Sequence, residues 1–221
     1  MRVLSLQTIG SSTMTVFAVL FTAVFAGALV WAEVTGSVAL RWFKMLASTG
    51  FIAIALSVGA MSSSYGKIVL AALALSWLGD LLLTFTSRNA FLGGLVAFLL
   101  GHVAYSVAFG TLGVNPLVGA FAAVAVAIVA VFVWRWLAPH VGDMAAPVVA
   151  YVVVISVMVV LAFGAFGDGA TWLIPLGATL FFISDLFVAR NQFVAPDTVN
   201  RMWGLPLYYL AQVLLALSVA G

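Results

Sequence analysis

The sequence predicts an all-helical, polytopic membrane protein with about eight transmembrane spans, and three observations carry that prediction. Hydrophobic residues fill 66% of the 221 positions and charged residues only 6%, too little polar surface for a chain that faces water. The apolar residues fall in eight long runs, each close to the roughly 20 residues that cross a bilayer as a helix. The runs are continuous, without the alternation of outer-membrane barrel strands. A single integral membrane domain, 1–221, is therefore expected, with no room for a soluble one.

Each span follows from its run and its breaks. The first, 14–32, is longer than the apolar core of a secretory leader, so a span is expected there rather than a signal peptide ending at VWA. The second, 43–60, is entered through Arg41 and Lys44 and closes at MSSSYGK. The third, 68–86, contains Asp80 and stops at TSRN, and the fourth, 91–110, contains His102 and Tyr105 and stops at GVNP. The fifth, 117–137, ends at APHVGD; the sixth, 147–166, holds YVVVISVM and ends at FGDGA. The seventh, 172–189, contains Asp185 and runs into RNQFVAPDTVNR; the eighth, 203–220, contains Tyr208, Tyr209 and Gln212. Gly, Pro, Asn and Ser in the breaks mark turns. Trp31, Trp42, Trp172 and Trp203 stand where an interfacial aromatic belt is expected, and His140, Asp143, Asp168 and Asp197 read as solvated loop residues.

Arg41, Lys44, Arg88, Arg135, Arg190 and Arg201 flank the odd-numbered loops, against Arg2 and Lys67 on the other side. The positive-inside bias then places the odd loops in the cytoplasm and both termini outside. With no cysteine in the chain, neither a disulfide framework nor a thiolate metal site is available. Eight scattered basic residues are too sparse for a nucleic-acid surface.

Asp80 and Asp185 are the most informative residues. A carboxylate inside a transmembrane run costs about 2.5 to 3.5 kcal/mol on insertion scales, and is tolerated mainly where it lines a polar cavity or meets a partner. At 1.5 Å per residue, Asp80 is expected about 9 Å from the cytoplasmic end of its helix and Asp185 slightly nearer its own. Tyr208, Tyr209 and Gln212 fall in the same layer, with Tyr208 and Gln212 on one helix face. His102 and Tyr105 share a face at mid-membrane, and Glu33 and Lys44 stand at the cytoplasmic ends of the first two spans. This convergence predicts a cavity open to one side, in which two carboxyls in different environments divide the roles of acid and base. The plainer alternative is that each aspartate bonds a neighbouring helix through Ser76, Ser184 or a tyrosine, and that Lys44 snorkels.

One histidine inside the spans and no cysteine make a zinc site unexpected, while magnesium held between the two aspartates stays open; no cofactor is expected. No lysine follows Lys67 to hold retinal, and neither a phosphate-cradling glycine loop nor a GxSxG elbow occurs. A proton-coupled transporter or channel, using the aspartates as a relay, is the alternative function, although the outer halves of the third, fourth, seventh and eighth spans are nearly pure Leu, Ala, Val and Phe. The GD and SD dipeptides, each followed about one helix later by a polar pair, also suggest a weak parallel repeat, 1–110 and 117–221.

The stretches SWLGDLLL, FLLGHVAYSVAF, YVVVISVM, GATLFFISDLFVARNQF and PLYYLAQVLLALS resemble, in order and spacing, the YhhN-like lysoplasmalogenase family of eight-helix membrane proteins. The resemblance covers the second to eighth spans. One departure is RWFKMLAST, where Met45 stands after Lys44 in place of a proline. The resemblance implies hydrolysis of the vinyl ether bond of lysoplasmalogens to a fatty aldehyde and a glycerophospho-ethanolamine or glycerophospho-choline. Asp80 and Asp185 would be the catalytic pair, with His102, Tyr105, Tyr208, Tyr209 and Gln212 supporting them. By depth and residue type, Lys44 or Arg190 near the interface would meet the lipid phosphate, and Glu33 is a further substrate-binding or supporting residue. The expected partners are a lysophospholipid, water and membrane lipids, with no nucleic acid or protein partner, in a bacterial inner membrane.

Overall fold

In the computed structural model the backbone is described for residues 2–221 and the side chains from Ser12 onward. Every regular element among these residues is helical. The long helices are α1 (Arg2–Thr35), α2 (Leu40–Ser57), α3 (Ser64–Leu82), α4 (Arg88–Gly110), α5 (Pro116–Leu137), α6 (Ala145–Gly167), α7 (Leu173–Ala189) and α8 (Thr198–Leu217). Seven of them are long and apolar enough to cross a membrane; α2 falls short because it carries Arg41 and Lys44 near its start. The protein is a multi-pass membrane protein.

Helix starts follow local capping chemistry. The hydroxyl of Ser63 accepts the Gly66 amide, opening α3, and that of Ser87 accepts the Ala90 amide, opening α4. The Asn115 side chain accepts two amides ahead of Pro116 in α5, and Asp197 accepts the Val199 amide in α8. Such caps satisfy amides that have no partner inside the helix. They also displace the expected boundaries. α3 begins at Ser64 and ends at Leu82 rather than spanning 68–86, because Thr84 and Phe85 fold back onto the Leu81 and Leu82 carbonyls. Asp80 is therefore two residues from its helix end, not six. Likewise α8 starts at Thr198, so Asn200 and Arg201 are helical, not loop, and a wide π-type turn at Arg190–Val194 prolongs α7.

Neighbouring helices form a closed circuit in the order α1, α2, α3, α4, α6, α7, α8, with α8 also touching α2 and α3 and α5 lying against α6. The outer faces are apolar, with Phe17, Phe121 and Phe132 exposed. Without a water-driven hydrophobic force between helices in lipid, close packing at small residues carries the association. Gly79, next to Asp80, is such a point: a Cβ there would lie 2.6 Å from the Phe98 ring, so glycine alone lets α4 come this close to the site. On α7, Gly177 similarly admits Leu215 of α8.

Candidate active site

A cavity of about 770 Å³ enters the bundle at the end where the odd-numbered connections lie, and both Asp80 and Asp185 line it. Its rim is polar, with Glu33, Arg88, Asn191, Asn200 and Arg201 among its residues. Leu95, Leu137, Val148, Val152, Ile155 and Phe182 make an apolar wall from α4 to α7 that begins near the rim and runs inward.

Asp80 on α3 is 2% exposed and is held from two helices. From α2, the Lys44 ammonium lies 3.3 Å from Oδ1 and Ser48 Oγ donates to Oδ2 at 2.7 Å. From α8, the Tyr208 hydroxyl donates to Oδ2 at 2.6 Å. Tyr209 completes the network from behind: its hydroxyl lies 3.1 Å from Ser48 Oγ and donates to the Lys44 carbonyl at 3.2 Å. Lys44 and Ser48 are one helical turn apart and so share a face. A buried ion pair needs such further hydrogen bonds to offset its desolvation.

Asp185 on α7 is less enclosed, its side chain 17% exposed. Tyr151 of α6 donates its hydroxyl to Oδ2 at 2.8 Å. His102 Nε2 of α4 stands 3.6 Å from the same oxygen, beyond hydrogen-bond reach. Oδ1 has no hydrogen bond among the described residues. His102 is fully buried, and neither ring nitrogen has a partner. Its ring packs on Phe181 at 4.5 Å and edge-to-face on Tyr151 at 5.2 Å between centroids. Phe181 in turn meets Tyr208 at 5.4 Å, so an aromatic layer links the two carboxyl sites.

The remaining expected residues divide. Tyr105 donates to Gln212 Oε1 at 2.6 Å, one turn beyond His102 and Tyr208. Tyr105, Gln212, His102 and Tyr209 support the cavity wall without lining it. Gln212 Nε2 is buried without a partner. Arg190 donates to Asn200 Oδ1 at 2.6 Å, and Glu33 pairs with Arg201 at 2.5 Å. Ser76 and Ser184 bond the Ala72 and Gly204 carbonyls rather than either aspartate. Tyr151 and Ser48 were not singled out from sequence. A signal existed for both: Tyr151 is the one phenol in the sixth run, and Ser48 lies four residues after Lys44.

Among the described residues no group of three His, Cys, Asp or Glu side chains is placed to hold a metal ion. What the cavity offers is two unlike carboxyls, one beside a cation and one beside a phenol and a neutral-capable ring, facing an apolar slot. Carboxyls so placed are of the kind that can give or take a proton in general acid–base chemistry.

Compared with known proteins, the chain matches the model of the YhhN family over residues 39–219. It is 31% identical over 153 residues to lysoplasmalogenase TMEM86A of Bos taurus, a match covering 66% of this chain and 62% of that protein. It is 32% identical over 157 residues to lysoplasmalogenase TMEM86B of Sus scrofa and, over the same length, of Homo sapiens, covering 71% of this chain and 65% of each relative. The chain thus spans under two thirds of the length of these relatives. No solved structure matches it.

Proposed function

Because the chain belongs to the YhhN family, we propose that it is an intramembrane hydrolase that cleaves the vinyl ether bond of lysoplasmalogens, releasing a fatty aldehyde and a glycerophospho-alcohol. The observation that carries this reading is the pairing of Asp80 and Asp185 on one cavity whose wall is apolar and whose rim is charged. A single-chain lipid fits that division, with its alkenyl chain along the α4–α7 wall and its headgroup at the rim. By the positive-inside bias, the rim faces the cytoplasmic leaflet of a bacterial inner membrane.

The structure suggests a division of labour between the carboxyls. Asp80, beside the Lys44 ammonium, serves as the standing carboxylate. Asp185 has no permanent cation beside it among the described residues and serves as the acid. Asp185 delivers its proton to the β-carbon of the enol ether, leaving an oxocarbenium ion that the Asp80 carboxylate stabilises. Water adds to the α-carbon and gives its proton to Asp80, forming a hemiacetal. Asp185, now a carboxylate, removes the hemiacetal hydroxyl proton as Asp80 protonates the departing glycerol oxygen. Aldehyde and alcohol leave, and both carboxyls return to their starting states. General acid and base steps of this kind contribute about 10²- to 10⁴-fold each, and two opposed carboxyls divide them as in glycoside hydrolysis. Tyr208 and Tyr151 orient the two carboxyls.

The test is fatty aldehyde release from lysoplasmenylethanolamine by the purified protein in detergent or vesicles, beside Asp80→Asn and Asp185→Asn, with and without chelator. Chelator-insensitive release that both substitutions abolish supports the reading. No release by folded wild-type protein sinks it.

A further inference from the structure

We propose that the Glu33–Arg201 pair at the cavity rim is a headgroup subsite that selects a phosphate esterified to a primary amine, an ethanolamine lysolipid, over its choline counterpart. This rests on the reading of the cavity as a lysolipid site. The Glu33 side chain is 11% exposed and its sole ion-pair partner among the described residues is Arg201, through Oε2. Its Oε1 has no hydrogen bond there and Glu33 lines the cavity. Glu33 also lies ahead of the stretch matched by the family model, so the subsite joins α1 to the bundle that carries the aspartates.

Arg201 is half exposed and spends one guanidinium nitrogen on Glu33. Arg88, also on the cavity, pairs with no carboxylate among the described residues. The rim therefore presents one carboxylate and two guanidinium groups, the complement of a phosphate anion tethered to a cation. Guanidinium forks match phosphate oxygens with two parallel hydrogen bonds. A primary ammonium donates hydrogen bonds to the free carboxylate oxygen. A quaternary ammonium has no N–H to donate and is held instead by aromatic faces, tryptophan best. No tryptophan lines this cavity; of the phenylalanine rings near its mouth, Phe85 is covered by the Arg41 guanidinium at 5.0 Å and Phe91 and Phe193 pack edge-to-face on each other, and phenylalanine binds a cation less well than tryptophan.

The depth agrees. Arg201 and Tyr208 are on the same helix, seven residues or about 10 Å of rise apart. In a lysoplasmalogen seven bonds separate phosphorus from the protonated vinyl carbon, about 8 Å at the per-bond reach of an extended chain. A phosphate on Arg201 therefore sets the enol ether at the level of Tyr208, which bonds Asp80.

The experiment is equilibrium binding to the purified full chain of two 1-O-alkyl lysolipids, one ethanolamine and one choline, neither of which has the vinyl ether bond. The wild type is expected to bind the ethanolamine lipid about tenfold tighter, the worth of one charge-assisted hydrogen bond. Glu33→Gln is expected to bring the two affinities together, and Arg201→Gln to weaken both by a similar factor. Equal wild-type affinities, a choline preference, or a ratio that survives Glu33→Gln overturns the proposal. Should Glu33→Gln fail to fold, Glu33→Asp takes its place, and an unchanged ratio there overturns it too. Aldehyde release is scored separately: binding selectivity without aldehyde sinks the hydrolase reading and leaves the subsite standing, while aldehyde without selectivity does the reverse.

Discussion

Around Asp80 three side chains from two helices close on a carboxylate that is almost wholly buried; around Asp185, which also lines the cavity, one phenol bonds a single oxygen, a histidine stands just out of reach, and the other oxygen has no hydrogen bond among the described residues. The same residue type, at similar sites on α3 and α7, has been given a fixed environment in one place and a loose one in the other. On the proposed mechanism, the carboxylate fixed beside a cation is the standing charge. On the same mechanism, the under-partnered one is the group that exchanges protons with the substrate. The difference teaches that the second aspartate of such a pair is specified by what it lacks as much as by what it touches.

The largest effects should fall on the aspartates and should differ in kind. Both Asp80→Asn and Asp185→Asn are expected to lower aldehyde release by about 10³-fold or more, within the range of acid–base catalysis. Only Asp80→Asn should also destabilise strongly, by about 3 to 5 kcal/mol, since it leaves the Lys44 ammonium buried without its counter-ion. Thermal unfolding in detergent reads the difference. Equal stability losses would erase the distinction between the two sites. Lys44→Met should mimic that destabilisation from the other side. The double variant Asp80→Asn, Lys44→Met should then lose less stability than the sum of the single losses, as for any pair whose partners become redundant together. Additive losses would show that the 3.3 Å approach carries no coupling.

The residues that make up this contrast lay largely in the sequence, but not which aspartate is the enclosed one. Both aspartates, both tyrosines of α8 and His102 stand out because apolar runs make polar residues conspicuous, and helical spacing brought them toward one end. Boundaries were less legible. The run around Asp80 was expected to reach 86, but hydrophobicity does not register the serine and threonine hydrogen bonds that end α3 at Leu82 and open α4 at Ser87. For the same reason RNQFVAPDTVNR reads as loop although Asp197 caps a helix that already contains Asn200 and Arg201. Partners were the least legible. That Lys44 faces Asp80, rather than only reaching for the interface, depends on how α2 packs against α3, and no periodicity within either helix reports it. Tyr151 was hidden among the valines of α6, the one hydroxyl-bearing ring in an apolar run that also holds Phe163 and Phe166.

The tyrosines provide a finer comparison. Tyr208→Phe removes one of three hydrogen-bonding side chains from Asp80, whereas Tyr151→Phe removes the one hydrogen bond that Asp185 receives. A hydrogen bond to a charged group contributes about 1.5 to 3 kcal/mol, which corresponds to roughly 10- to 100-fold in rate if the whole of it is felt in the transition state. Tyr151→Phe is expected near the upper part of that range in kcat, with little change in KM. Tyr208→Phe is expected near the lower part, because Lys44 and Ser48 still hold Asp80. Steady-state kinetics of the two variants checks the order, and a larger kcat loss for Tyr208→Phe would reverse it.

The smallest effect on stability should come from His102, and it separates packing from chemistry. The ring is fully buried, bonds nothing among the described residues, and touches mainly the rings of Phe181 and Tyr151. His102→Phe exchanges it for an apolar ring of similar size, and such swaps usually cost less than about 1.5 kcal/mol. With no hydrogen bond to lose, stability should hold or rise. Activity should nonetheless fall by about tenfold, because Asp185 becomes a carboxylate once it has given up its proton and then has only the Tyr151 hydroxyl to stabilise it, a loss on the scale of one hydrogen bond to a charge. A shift of about 0.5 Å, from the present 3.6 Å to bonding distance, would bring His102 Nε2 onto that oxygen. If His102→Phe kept both stability and kcat, the histidine would be packing alone, and the looseness around Asp185 would be complete.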